Sequence, residues 1–99
     1  MSIEVSSAKH AIHDKLESQI KTAEAKLDTL KARAEVAKAN LELKAIAALA
    51  TQKLDLHEKL RELKASSEAN LQLHKKDLEA RVAAFEKSIK EIEAKVKAL

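Results

Sequence analysis

The sequence of 99 residues has no cysteine, glycine, proline, tryptophan or tyrosine, and Phe85 is its one aromatic residue. Without cysteine there is no disulfide framework, no thiolate metal site and no thiol nucleophile. Without glycine there is no phosphate-cradling loop, no dinucleotide fingerprint and no glycine-flanked nucleophile elbow, because each needs backbone conformations that glycine adopts cheaply. A lone aromatic leaves no series of stacking platforms for single-stranded nucleic acid. No apolar run approaches the roughly 20 residues that span a bilayer. The opening MSIEVSSAKH lacks the basic stretch followed by an apolar one that marks a secretory leader. These absences predict a cytoplasmic, non-enzymatic protein with no cofactor, no small-molecule substrate and no nucleic-acid partner.

What remains is 45% hydrophobic and 35% charged, with alanine, leucine, lysine and glutamate foremost, a profile of long helices and coiled coils. The net charge of +3 comes from 19 basic against 16 acidic residues. The two signs alternate along the chain, as on a solvated helix surface, instead of gathering into a basic stripe. Glu17–Lys21, Asp55–Lys59, Asp77–Arg81, Glu86–Lys90, Glu91–Lys95 and Glu93–Lys97 each place an acid four residues before a base. On a helix, each such pair is worth about 0.2–0.5 kcal/mol.

Apolar residues recur at steps of four and three through Leu16, Ile20, Ala23, Leu27, Leu30, Ala34, Ala37 and Leu41. This spacing predicts a heptad seam on one helical face. A second seam runs through Ile46, Leu49, Leu56, Leu60 and Leu63, and a third through Leu71, Leu78, Val82, Phe85, Ile89, Ile92, Val96 and Leu99. Leu41 and Ile46 are five residues apart, but successive steps of four through Ala45 and Leu49 carry the pattern across, so a local change of supercoiling can keep the helix continuous. A reversal is expected instead near Ser66–Ser67. There Ser66, Ser67 and Asn70 favour helix caps, Arg61 and Lys64 suit a closing turn, and Glu68 suits an opening one.

The expected architecture is therefore all-α, a single domain over residues 1–99. A frayed segment (1–7, with Ser6 or Ser7 as N-cap) leads into a long helix over 8–65, and a returning helix spans 67–99. The run AIAALA, Ala45–Ala50, is apolar on every side, more than a two-stranded seam uses. A reversal near Ser66 sets Phe85 opposite these small residues, and two such hairpins would enclose the run in a four-helix core. The expected interface comprises Leu41, Ala45, Ile46, Ala48, Leu49, Leu56, Leu60, Leu63, Leu78, Val82, Phe85, Ile89, Ile92 and Val96, with a homodimer favoured. The alternative architecture is a continuous, extended two-stranded coiled coil.

The remaining candidate chemistry is HAIHD, in which His10 and His13 share a helical face with Asp14 and Glu17 in reach, a set that can be read as a divalent-metal sensor through His10, His13 and Glu17. It lacks the four-residue histidine spacing of a zincin helix, and His13 also falls on the extension of the first seam. A half-buried seam histidine, with no metal, is the expected role. A further alternative turns the apolar seams towards a membrane or storage-granule surface as an amphipathic coat. The scarcity of aromatic residues argues against that.

Leu27–Ala32, Ala37–Ala39 and Leu63–Ser66, within a stretch from Ala23 to Ala80, resemble a group of small bacterial coiled-coil proteins, some named as stress-response proteins. The chain departs from that group at Asn70 and Leu71, where members often carry tryptophan. The resemblance implies a non-enzymatic helical scaffold or protein-interaction role, stress-associated in bacteria, and no catalytic residue.

Overall fold

The computed structural model describes the backbone of residues 2–99, and the side chains from residue 8 onward except that of residue 68. Three helices follow one another: α1 (Ser2–Val36), α2 (Asn40–Ala65) and α3 (Leu71–Lys97), with a short 3-10 turn, Glu68–Asn70, leading into α3. No strand occurs among the described residues. Each helix packs against the other two, α2 antiparallel to both neighbours, in a bundle 54 Å long and 16 Å across. At 1.5 Å per residue, about 52 Å of that length is α1 itself. The helix begins at Ser2, so Ser6 and Ser7 lie within it instead of capping it; their side chains fall outside the described residues.

The all-α fold and the reversal near Ser66–Ser67 agree with the sequence reading. Ser66 closes α2 rather than opening α3. Its backbone turns extended (φ −69°, ψ 151°), its N–H donates to the Leu63 carbonyl at 3.1 Å, and its buried hydroxyl donates to the same oxygen at 2.7 Å. The Lys9 ammonium on α1 donates to the Ser66 carbonyl at 2.6 Å and to that of Lys64 at 3.3 Å. A cation thus sits at the negative end of the α2 dipole and ties α1 to this turn. Asn70 N–H donates to the Ser67 carbonyl, closing the turn that feeds α3.

The single helix expected over 8–65 is corrected by a second reversal, at residues 37–39. Lys38 takes a left-handed conformation, φ 56°. Around it Lys38 N–H donates to the Glu35 carbonyl at 3.1 Å and Ala39 N–H to that of Ala34 at 2.9 Å, the paired bonds of a Schellman cap. The buried Ala34 and Ala39 stand where that motif makes its apolar contact. Leu43 N–H donates to the Ala39 carbonyl, starting α2 with Ala39 as an N-cap that offers no side-chain bond. The physical reason for the reversal lies in the phase of the seams. Leu16, Ile20, Ala23, Leu27, Leu30 and Ala34 are buried on α1, but the next members, Ala37 and Leu41, are exposed. Burial resumes on α2 at Ile46, a different face of a straight helix. Folding at 37–39 lets both faces point into one core.

That core joins the α1 set to Ile46, Leu49, Leu56, Leu60 and Leu63 of α2 and Leu71, Leu78, Val82, Phe85, Ile89, Ile92 and Val96 of α3. At about 1.5–3 kcal/mol for each fully buried large side chain, this is the main favourable term of the fold. Among the described residues, no buried side-chain nitrogen or oxygen lacks a hydrogen-bond partner. Leu99, the last member of the third seam, is exposed.

Interhelical polar contacts mark the register of each interface. Glu24 of α1 meets His57 at 2.5 Å and Lys53 at 4.0 Å on α2. Asp55 of α2 meets Arg81 of α3 at 2.7 Å, and Lys26 of α1 meets Glu93 of α3 at 3.3 Å. Carried along the helices, the Asp55–Arg81 pair places Phe85 between Leu49 and Leu56 of α2, and the groove that Ala23 shares with Ile89 places it beside Ile20 of α1. On that stretch of α2, the seam offers only the half-buried Lys53. The one large ring therefore occupies the level at which α2 has no large apolar side chain.

The hydrogen bond from Lys26, with further attraction from Lys26 and Lys97, holds the Glu93 carboxyl below its ordinary pKa. Arg81 is raised, first by its hydrogen bond to Asp77 and then by the charges of Asp55 and Asp77.

Two predictions follow from this geometry. Glycine removes the Cβ penalty at Lys38, so Lys38→Gly is expected to stabilise the closed bundle by about 1 kcal/mol, and Lys38→Val to destabilise it, in thermal melts followed by circular dichroism. Because the native pKa of Glu93 lies below its unfolded value, its stabilisation is present above the unfolded pKa and is lost as pH falls through the lower native one. Melting temperatures recorded from pH 7 downward should therefore fall less steeply for Glu93→Gln than for the parent protein across the carboxylate range.

Candidate interaction surface

The side chains expected to form an intermolecular interface are for the most part used inside the chain. Ile46, Leu49, Leu56, Leu60, Leu63, Leu78, Val82, Phe85, Ile89, Ile92 and Val96 are buried within the three-helix core. Ala45 is half-buried, while Leu41 and Ala48 are exposed. The run Ala45–Ala50 is thus divided: Ile46 and Leu49 point inward, and Ala47, Ala48 and Ala50 stay on the surface. The third helix that covers the run is the chain's own α1, folded back at Lys38.

Among the described residues, the large apolar side chains left exposed are Val36 and Leu41 beside this reversal, Leu54 on α2, and Leu73 and Leu99 near the two ends of α3. Val36 is 86% exposed, Leu41 78% and Leu54 70%. On α2, the half-buried Leu43 and the exposed Ala47, Ala50 and Leu54 follow at steps of four, three and four, so they share a second face of the helix. Leu43, Ala47 and Ala50 border a groove between α1 and α2 whose other wall is Leu27, Asp28 and Lys31. Single exposed leucines are ordinary on a protein surface. A row of leucine and alanine at helical spacing, beside a groove, is the kind of surface that receives another helix.

The histidine cluster does not assemble. His13 is half-buried, with Nδ1 3.3 Å from Asp14 and Nε2 4.0 Å from Glu17, whereas His10 is exposed. Among the described residues, no three His, Cys, Asp or Glu side chains converge on a position for a metal ion. The histidine that makes a close polar contact with another helix is His57, whose partner Glu24 is 33 positions away. Linear spacing carries no signal for that pair, because it exists only once α1 and α2 lie antiparallel. No helix among the described residues is long and apolar enough to cross a membrane.

Substitution at neighbouring positions distinguishes the two sides of the apolar run. Ala48→Glu is expected to cost no more than about 0.5 kcal/mol in dilute, single-chain samples, as for other surface positions. Leu49→Glu places a carboxylate in the core and should cost several kcal/mol or unfold the chain, as read from urea midpoints.

No protein-family model, curated protein or solved structure matches this chain.

Proposed function

We propose that this chain is a non-enzymatic helical scaffold that works by protein–protein association, in the first instance with a second copy of itself. The observation that carries the reading is the row Leu43, Ala47, Ala50 and Leu54, laid out at helical spacing beside the groove between α1 and α2, with Val36 and Leu41 exposed close to the reversal. Its surroundings support the same reading. Asp28 and Lys31 edge the groove, a mixture of signs that suits a helical protein partner better than a polyanion. A cytoplasmic setting and a stress-associated role in bacteria belong to this proposal, the latter on the sequence resemblance alone.

Mass measured by light scattering across about three decades of concentration tests the reading by mass action. The expected result is a rise from the mass of one chain towards that of two. A single-chain mass at every concentration would overturn it.

A further inference from the structure

The reversal between α1 and α2 is made from residues that suit a helix better than a turn. Ala37, Lys38 and Ala39 include no glycine, and lysine and alanine are among the stronger helix formers. Lys38 is the one described non-glycine residue with positive φ, in a region that disfavours any side chain with a Cβ. Were these residues helical, α1 and α2 would join end to end. The seam of α1 would then run on through Ala34, Ala37 and Leu41, and reach Leu49 through Ala45 by steps of four, a phase change that local unwinding of the supercoil absorbs. In the closed chain Ala37 and Leu41 are exposed and Ala45 is half-buried.

We propose that the chain dimerises by exchanging α1. Residues 37–39 straighten, α1 and α2 become one helix, and α1 of each copy takes, between α2 and α3 of the other, the place it holds in its own bundle. This rests on the self-association reading and specifies its form at Leu41, while the row from Leu43 to Leu54 keeps the neighbours it has in the closed chain. The symmetry is already present in the register of the closed chain. Lys31 and Ala47, like Asp28 and Ala50, border one groove from opposite sides, and the members of each pair lie at nearly equal distances along the chain from Lys38. Two straightened copies laid antiparallel, with a two-fold axis at Ala39, beside Lys38, therefore remake the contacts of α1 between chains, including Glu24 with Lys53 and His57. The α2–α3 hairpin is unchanged.

The new contact is at the crossing point. There, on the register of those pairs, Leu41 of each copy comes level with Ala37 of the other, a large apolar side chain against a small one. The exchanged form thus keeps the contacts of the bundle, releases the left-handed residue and covers a leucine that the closed form leaves 78% exposed. Against this stands the entropy of association, so the balance depends on concentration. A short hinge under strain is the setting in which such exchange arises.

The test uses the full chain with Lys31→Cys and Ala47→Cys, spin-labelled at both sites and equilibrated with excess unlabelled protein at high concentration. The one-chain and two-chain fractions are then separated by size. In the closed chain the two sites face each other across one groove. On a continuous helix they lie 16 positions apart, about 24 Å at 1.5 Å per residue. The two-chain fraction is expected to show the longer distance and the one-chain fraction the short one. A two-chain fraction that keeps the short distance would overturn the exchange and leave self-association standing; no two-chain fraction at any concentration would remove both.

Lys38→Gly provides a second measurement, because it favours the turn and disfavours the helix in both copies. It should weaken dimerisation on the order of a hundredfold, roughly tenfold for each chain. An unchanged dimerisation constant would mean that the hinge does not straighten. Leu41→Gln should weaken the dimer while leaving the melting of the closed chain unaltered, since this side chain is exposed there.

Discussion

Ala39 N–H reaches the carbonyl of Ala34 because Lys38 turns left-handed, and the rest of the architecture depends on that step. Up to Ala34 the chain presents one apolar face; from Ile46 onward it presents another. In a straight helix these faces point in different directions, and one chain with two helices cannot cover both. Reversal at Lys38 turns them towards each other, and α3 then closes the side that α1 and α2 leave open. The cap is built from backbone bonds and two buried alanines, so its cost falls on one residue while its benefit is spread over the whole core.

Polar contacts fix the alignment within this apolar frame without supplying much of its stability. Glu24, Asp55 and Glu93 each reach across to a different helix, which gives each interface its own marker of register. Partly exposed pairs of this kind contribute little net energy individually. A mismatched register would separate the pairs and also displace Phe85 from the level where α2 lacks a large side chain. Lys9 acts similarly at the far end, where its ammonium satisfies carbonyls at the close of α2.

The all-helical class, the turn at Ser66 and the buried face of α3 were legible because each rests on local signals: composition, cap-forming side chains and a strong heptad run from Leu78 to Val96. The reversal at 37–39 was not. The residue that enters the left-handed region is lysine rather than glycine, no proline marks the place, and Asn40, the cap-favouring residue beside it, stands one position past the N-cap. The five-residue step from Leu41 to Ile46 was visible, but a helix break and a phase change in a continuous helix leave the same trace. The surface was legible only in part. Ile46, Leu49 and Phe85 could be recognised as buried, while their partner, the chain's own α1, depended on the unread turn. For the same reason nothing in the linear spacing brings His57 to Glu24, against which it lies.

The central claim, that one core is shared by all three helices around Phe85, can be tested by nuclear Overhauser contacts of the single aromatic ring in protein with protonated methyl groups. Cross-peaks are expected from the Phe85 ring to methyls of both α1, Ile20 foremost, and α2, Leu49 and Leu56. These contacts hold whether α1 comes from the same chain or from a second copy. Cross-peaks to α2 methyls alone, with those of α1 silent, would contradict it.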